Sequence, residues 1–145
     1  MKSIARTFAL ATLAVTASLT VAHAQTQVVR VNVPFDFNLG SEHFAAGTYT
    51  IATEGSDIVS VRSEARPSQC MALIESRSDS GSSNNRATVT FSKYGKAYFL
   101  AAYARQGETI KLVESDRERS LSREYAMSHM TPDLVTLAMN QPSGR

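Results

Sequence analysis

From Val29 to Leu39 the chain reads Val-Arg-Val-Asn-Val-Pro-Phe-Asp-Phe-Asn-Leu, with every odd position apolar and every even position polar or proline. A period of two puts Val29, Val31, Val33, Phe35, Phe37 and Leu39 on one face of a long strand; a helical period would scatter them around a cylinder. Pro34 keeps the alternation but donates no ladder hydrogen bond, which predicts a strand at a sheet edge or with a bulge. Everything after this stretch has to pack against a β face.

What precedes it reads as an address. Lys2 and Arg6 come before an uncharged run from Phe8 to Val21, and Ala22-His23-Ala24 ends the run with small residues. That pattern predicts a signal peptide over 1–24. The run is shorter than the roughly 20 residues of a membrane span, so the expectation is an exported chain, periplasmic or extracellular, with no membrane span after cleavage. Residues 25–145 then make a single β-rich domain, large enough for one core without covalent staples. Losing Lys2 and Arg6 reduces the 15 Lys and Arg to 13, against 13 Asp and Glu. The basic balance therefore belongs to the leader and gives no ground for nucleic-acid binding.

Cys70 is the only cysteine, so the exported chain has no internal disulfide. Followed by Met71, Ala72, Leu73 and Ile74, it reads as a buried thiol acting as a small hydrophobe. A disulfide to another chain is the alternative.

Further strands follow from the same period. Gly40-Ser41 and Ala46-Gly47 mark turns before Thr48 to Ile51, and Gly55-Ser56 marks another before Ile58 to Val61. Arg62 to Gln69, with Pro67, reads as a connection. Cys70 to Ile74 is a continuous apolar run, which predicts a strand covered on both faces. Ser76 to Arg86, rich in serine, reads as a solvated hairpin loop. Ala87 to Ser92 alternates, Ala97 to Tyr103 with Tyr98-Phe99-Leu100 predicts a central strand, and Thr109 to Leu112 alternates again. The period then changes. Ser115-Asp116-Arg117-Glu118 fits a capping box and opens a predicted helix over about 116–128, with Leu121 and Tyr125 on one face. Leu134 to Met139 adds an edge strand, and 141–145 is a tail.

Chemistry is narrowed mainly by what the sequence does not offer. His43 and His129 have no metal-ligand spacing, though either would matter if the fold brought them together with Glu42 or Asp36. No G-x-S-x-G nucleophile elbow accompanies the many serines. Gly40, Gly47 and Gly55 recur as turn punctuation, and no glycine-rich run precedes a helix to cradle phosphate. Lys93 to Tyr98 interleaves two lysines with two tyrosines and reads as a hairpin tip. Arg117, Arg119 and Arg123 are offset by Asp116, Glu118 and Glu124 on a solvated helix face. No catalytic, cofactor-binding or metal residue is assigned.

Taken together, Val33-Pro34-Phe35-Asp36-Phe37, Ala46 to Ile51, Tyr98-Phe99-Leu100, and Ser115 to Leu121 with Glu118 and Arg119 inside it resemble a group of small exported proteins of unknown function abundant in acidobacteria. The likeness covers roughly residues 29 to 126. Relatives often carry a tryptophan after the Phe-Leu strand, where this chain has Ala101-Ala102-Tyr103-Ala104. The resemblance implies an extracytoplasmic β domain and transfers no catalytic residue.

The reading is an all-β domain, a β-sandwich or partly open β-barrel of about seven or eight strands with one short C-terminal helix. Three functions are compatible with it. The first is a non-enzymatic envelope or secreted protein acting through protein or surface contacts, with a partner or a second copy joining an edge strand at Pro34. The second is a module holding a small apolar ligand among Phe35, Phe37, Tyr49, Phe91 and Phe99, and the third is an enzyme with carboxylates or a histidine gathered in a cleft.

Overall fold

The computed structural model describes residues 28–79 and 86–140. The expected leader, the tip of the serine-rich loop at 80–85 and the expected tail over 141–145 lie outside the described residues. Along the chain come β1 (Val28–Val33), β2 (Phe37–Leu39), β3 (Glu42–Phe44), β4 (Gly47–Glu54), β5 (Ile58–Ser63), β6 (Gln69–Asp79), β7 (Thr88–Tyr94), β8 (Ala97–Arg105), β9 (Glu108–Leu112), α1 (Asp116–Met127) and β10 (Asp133–Ala138).

The alternation that opens the folded part does set the inner face: Val29, Val31, Val33, Phe37 and Leu39 are all buried. It does not make one strand. β1 pairs with β4 from Val28↔Ala52 to Val33↔Gly47, whereas β2 turns away to pair with β3 and to touch β8 in parallel at Asn38↔Phe99. Pro34 is the physical reason, because its fixed φ and missing N–H end the β1 ladder just where the chain changes neighbours. That split, together with the three-residue β3, gives ten strands among the described residues where seven or eight were expected.

β6 joins the two halves of the sandwich. Its first part, Gln69 to Leu73, pairs with β5, and its second part, Ile74 to Asp79, pairs with β9 across a register shift between Ile74 and Ser76. Two sequence expectations change here. Cys70 to Ile74 is covered on one face only, with Met71 and Leu73 58% and 60% exposed, because among the described residues no element packs over the outside of β6. Ser76 to Asp79, expected as loop, extends the strand because β9 offers it a partner. Its side chains are exposed, so no apolar alternation marks it.

Among the described residues the result is one mixed, sandwich-like sheet with a single helix, running β1-β4-β5-β6-β9-β8, with β7 and β10 beyond one side of β8 and the β2–β3 hairpin touching its other side; the sheet is not closed into a barrel. Val59, Val61, Val89 and Ile110 are completely buried, each worth about 1.5–3 kcal/mol as an upper bound on transfer from water. Phe37 is the hub of the aromatic core, 5.1 Å from Phe44, 5.1 Å from Tyr49 and 5.3 Å from Phe91 between ring centroids. Tyr103 reaches from β8 to β4, where its hydroxyl meets the Thr53 hydroxyl.

α1 lies over the outer face of β7. The Ser115 hydroxyl accepts from the Glu118 N–H at 3.2 Å, and the Glu118 carboxyl is bonded to the Ser115 backbone and to the Ser92 side chain. The capping box is formed. Its glutamate is also the one charged residue type among the buried described residues. Tyr94 on β7 packs edge-on against Tyr125 at 5.1 Å and Phe99 at 5.9 Å, so the outward Phe99 of β8 is covered by Tyr94, on which the helix rests. Gly95, at φ +62°, makes the β7–β8 turn, and a Cβ there would sit 3.5 Å from the Tyr125 hydroxyl.

Candidate interaction edge and polar cleft

β1 has a full ladder with β4 on one side only. On its other side stands Asn140, just past β10, in a single antiparallel bridge with Arg30. Arg30 donates its N–H to the Asn140 carbonyl at 3.2 Å and accepts the Asn140 N–H at 2.9 Å. β10 is likewise paired on one side only, with β7 from Asp133↔Lys93 to Ala138↔Thr88. The two free edges therefore meet at one point and pair nowhere else among the described residues.

Backbone groups alternate in direction along a strand. Asn32 on β1 points its N–H and C=O the same way as Arg30, and Leu134, Thr136 and Ala138 on β10 point theirs the same way as Asn140. These groups face the seam between β1 and β10. Inside the seam, Phe35, Val135 and Leu137 pack against the core but are only half-buried, and Phe35 stacks on Tyr98 at 4.0 Å. Outside it, Met127, Met130 and Leu134 follow one another from the end of α1 into β10 at 77%, 50% and 68% exposed. Free strand edge and exposed apolar side chains thus lie together. The expected edge at Pro34 is present as the free side of β1; the part played by β10 depended on long-range pairing that no local pattern announces.

Around the β2–β3 hairpin the surface is polar. A cleft of about 350 Å³ is lined by Asp36, Asn38, His43, Lys96, Tyr98 and Arg117. An adjoining one of about 520 Å³ shares Asn38 and Arg117 and adds Glu114, Asp116 and Arg119. The fold does bring His43 to Asp36, with Nε2 3.8 Å from Oδ2. Asn38 donates from Nδ2 to the Tyr98 carbonyl at 3.1 Å, which leaves its Oδ1 to accept from His43 Nδ1 at 3.3 Å. Asp36 Oδ1 accepts the Ala46 N–H at 2.8 Å. These bonds hold the hairpin on β8. His43 and Asp36 are both more than half exposed, so their attraction is worth at most about 1 kcal/mol. His129 stands apart, beyond α1, at φ 53°.

Among the described residues no group of three or more His, Cys, Asp or Glu could hold a metal, and no helix is long and apolar enough to cross a membrane. Cys70 is half-buried rather than buried, its Sγ 3.8 Å from the Leu39 carbonyl. Burial first, and then Glu42, push its thiol pKa up, away from the thiolate a nucleophile needs. The aromatic residues considered as a ligand pocket, Phe35, Phe37, Tyr49 and Phe91, touch one another edge-on or through Phe37, and Phe99 lies on the other side of the sheet beneath α1.

Comparison with models of protein families, with curated proteins and with solved structures finds no match for this chain.

Proposed function

We propose that this chain is an exported envelope or secreted β-domain protein, non-enzymatic, which works by contact: an extended segment of a partner protein, or of a second copy, adds as a strand along the seam between β1 and β10. The single observation that carries the reading is the lone Arg30–Asn140 bridge. A strand entering there gains backbone hydrogen bonds from Asn32 on one side or from Thr136 on the other, and its inward side chains find the half-buried Phe35, Val135 and Leu137. Leu134, Met130 and Met127 offer apolar surface to its outward ones. Export rests on the leader pattern over 1–24 and on the resemblance to small exported proteins.

The test is photo-crosslinking in an exporting host, with the reactive residue in place of Asn32, Thr136 or, as a control on the paired strand β5, Arg62. Adducts to a partner or to a second copy are expected from Asn32 and Thr136 and not from Arg62. Thr136→Pro removes an N–H that β7 does not use and is expected to abolish the adduct at Asn32. The proposal is overturned by adducts no stronger than the Arg62 control, with the Asn32 and Thr136 amides exchanging as slowly as those of the β4–β5 ladder.

A further inference from the structure

The cleft beside the β2–β3 hairpin gathers two cations from different parts of the chain. Lys96 belongs to the β7–β8 turn and Arg117 to the first turn of α1, and both line the 350 Å³ cleft with Asn38, His43, Tyr98 and Asp36. Five cations elsewhere on the domain are held in ion pairs, Arg30 with Glu64, Arg77 with Glu108, Lys93 with Asp133, Lys111 with Glu75 and Arg119 with Asp116, while Arg66, Arg86 and Arg123 stand scattered over the surface away from this cleft. Lys96 and Arg117 have no ion-pair partner among the described residues. The acid that lines the cleft with them, Asp36, is already held by the Ala46 amide and lies next to His43.

We propose that this cleft binds a small organic carboxylate, held between the Lys96 ammonium and the Arg117 guanidinium. A guanidinium presents two parallel N–H groups that match the two oxygens of a carboxylate, and the ammonium adds a point charge. Counting Lys96, Arg117 and Asp36, the cleft carries one net positive charge, which complements a monoanion better than a dianion. The Tyr98 ring, stacked on Phe35 at 4.0 Å, and the Asn38 amide, fixed by its bond to the Tyr98 carbonyl, give the site a rigid wall. The inference does not rest on the strand-addition reading.

The experiment is an amide NMR titration of the ¹⁵N-labelled protein, purified from an exporting host, with sodium acetate, sodium chloride and sodium phosphate at constant ionic strength. Acetate is expected to shift the amides of Asn38, Lys96, Ala97 and Arg117 saturably, and chloride is expected not to. Substituting both exposed cations, K96M with R117M, is expected to weaken acetate at least tenfold while the rest of the spectrum stays in place. Shifts that rise linearly without saturating, or that survive the double substitution, overturn the site. Phosphate saturating at lower concentration than acetate overturns the carboxylate assignment.

Discussion

Glu118 is a carboxyl placed where a carboxylate is uncomfortable. Burial against the sheet first, and then Glu114, raise its pKa to about 7 against the opposing bonds to the Ser115 backbone and Ser92. Tyr94, bonded to Ser122, and Tyr125 complete its surroundings. In the unfolded chain the same group titrates near its ordinary 4.5. Between those two values the folded state holds the proton more tightly than the unfolded one, so this contribution to stability is complete below about 4.5 and is lost as pH rises through about 7. After allowance for screening by water it amounts to about 2 kcal/mol. Glu118→Gln keeps an oxygen for the Ser115 amide and a donor for Ser92 but cannot ionise. It is expected to unfold at nearly the same temperature at pH 5 and pH 8, while the parent chain loses several degrees over that interval. Thermal melts followed by circular dichroism at the two pH values decide this, and equal slopes for both proteins would contradict the role given to Glu118.

At the scale of elements, α1 is held by its first turn. Ser115→Ala removes the acceptor for the Glu118 N–H and is expected to cost about 1 kcal/mol, measured as a lower urea midpoint with unchanged slope. A change below about 0.3 kcal/mol would mean that packing on β7 alone places the helix. This element was the most legible in the sequence, because its signal is local: a serine, a glutamate three residues on, and Leu121 and Tyr125 facing the same way. The expected span of 116–128 and the observed Asp116–Met127 differ by one residue. β1 and β2 were legible as a face and not as two strands, since Pro34 leaves the alternation intact while ending the ladder. β6 was legible only to Ile74. Beyond it, Ser76 to Asp79 is a strand because of Lys111, Ile110, Thr109 and Glu108 opposite, and a strand exposed along both faces writes no pattern of its own. The polar cleft was half legible: His43 with Asp36 was foreseen as a conditional pair, but the meeting of Lys96 with Arg117 depends on α1 docking beside the hairpin.

For the molecule as a whole, the all-β class with one helix followed from period and turns, whereas the order β1-β4-β5-β6-β9-β8 did not, because strands with equally apolar faces can be exchanged without changing the pattern. β6 serves both halves of the sandwich, and Tyr103 with Thr53 ties them across the core. Neither half has a core of its own. Urea unfolding is therefore expected to be a single transition, with tyrosine fluorescence and far-ultraviolet circular dichroism giving the same midpoint. Two separated transitions would show that the halves fold independently.

Arg30 and Asn140 stand 110 residues apart in the chain and return only two backbone hydrogen bonds when they meet. The hairpins β4–β5, β7–β8 and β8–β9 close over short turns, so they form at far smaller entropic cost, and the junction of the first and last strands comes at the end of folding. A folding chain is thus expected to pass through a stage in which its sheet is assembled but its two free strands have not yet met. A strand added as proposed would in that interval compete with Asn140 for Arg30 on nearly equal terms, so the time of its arrival, as much as its affinity, would decide which of them Arg30 pairs with.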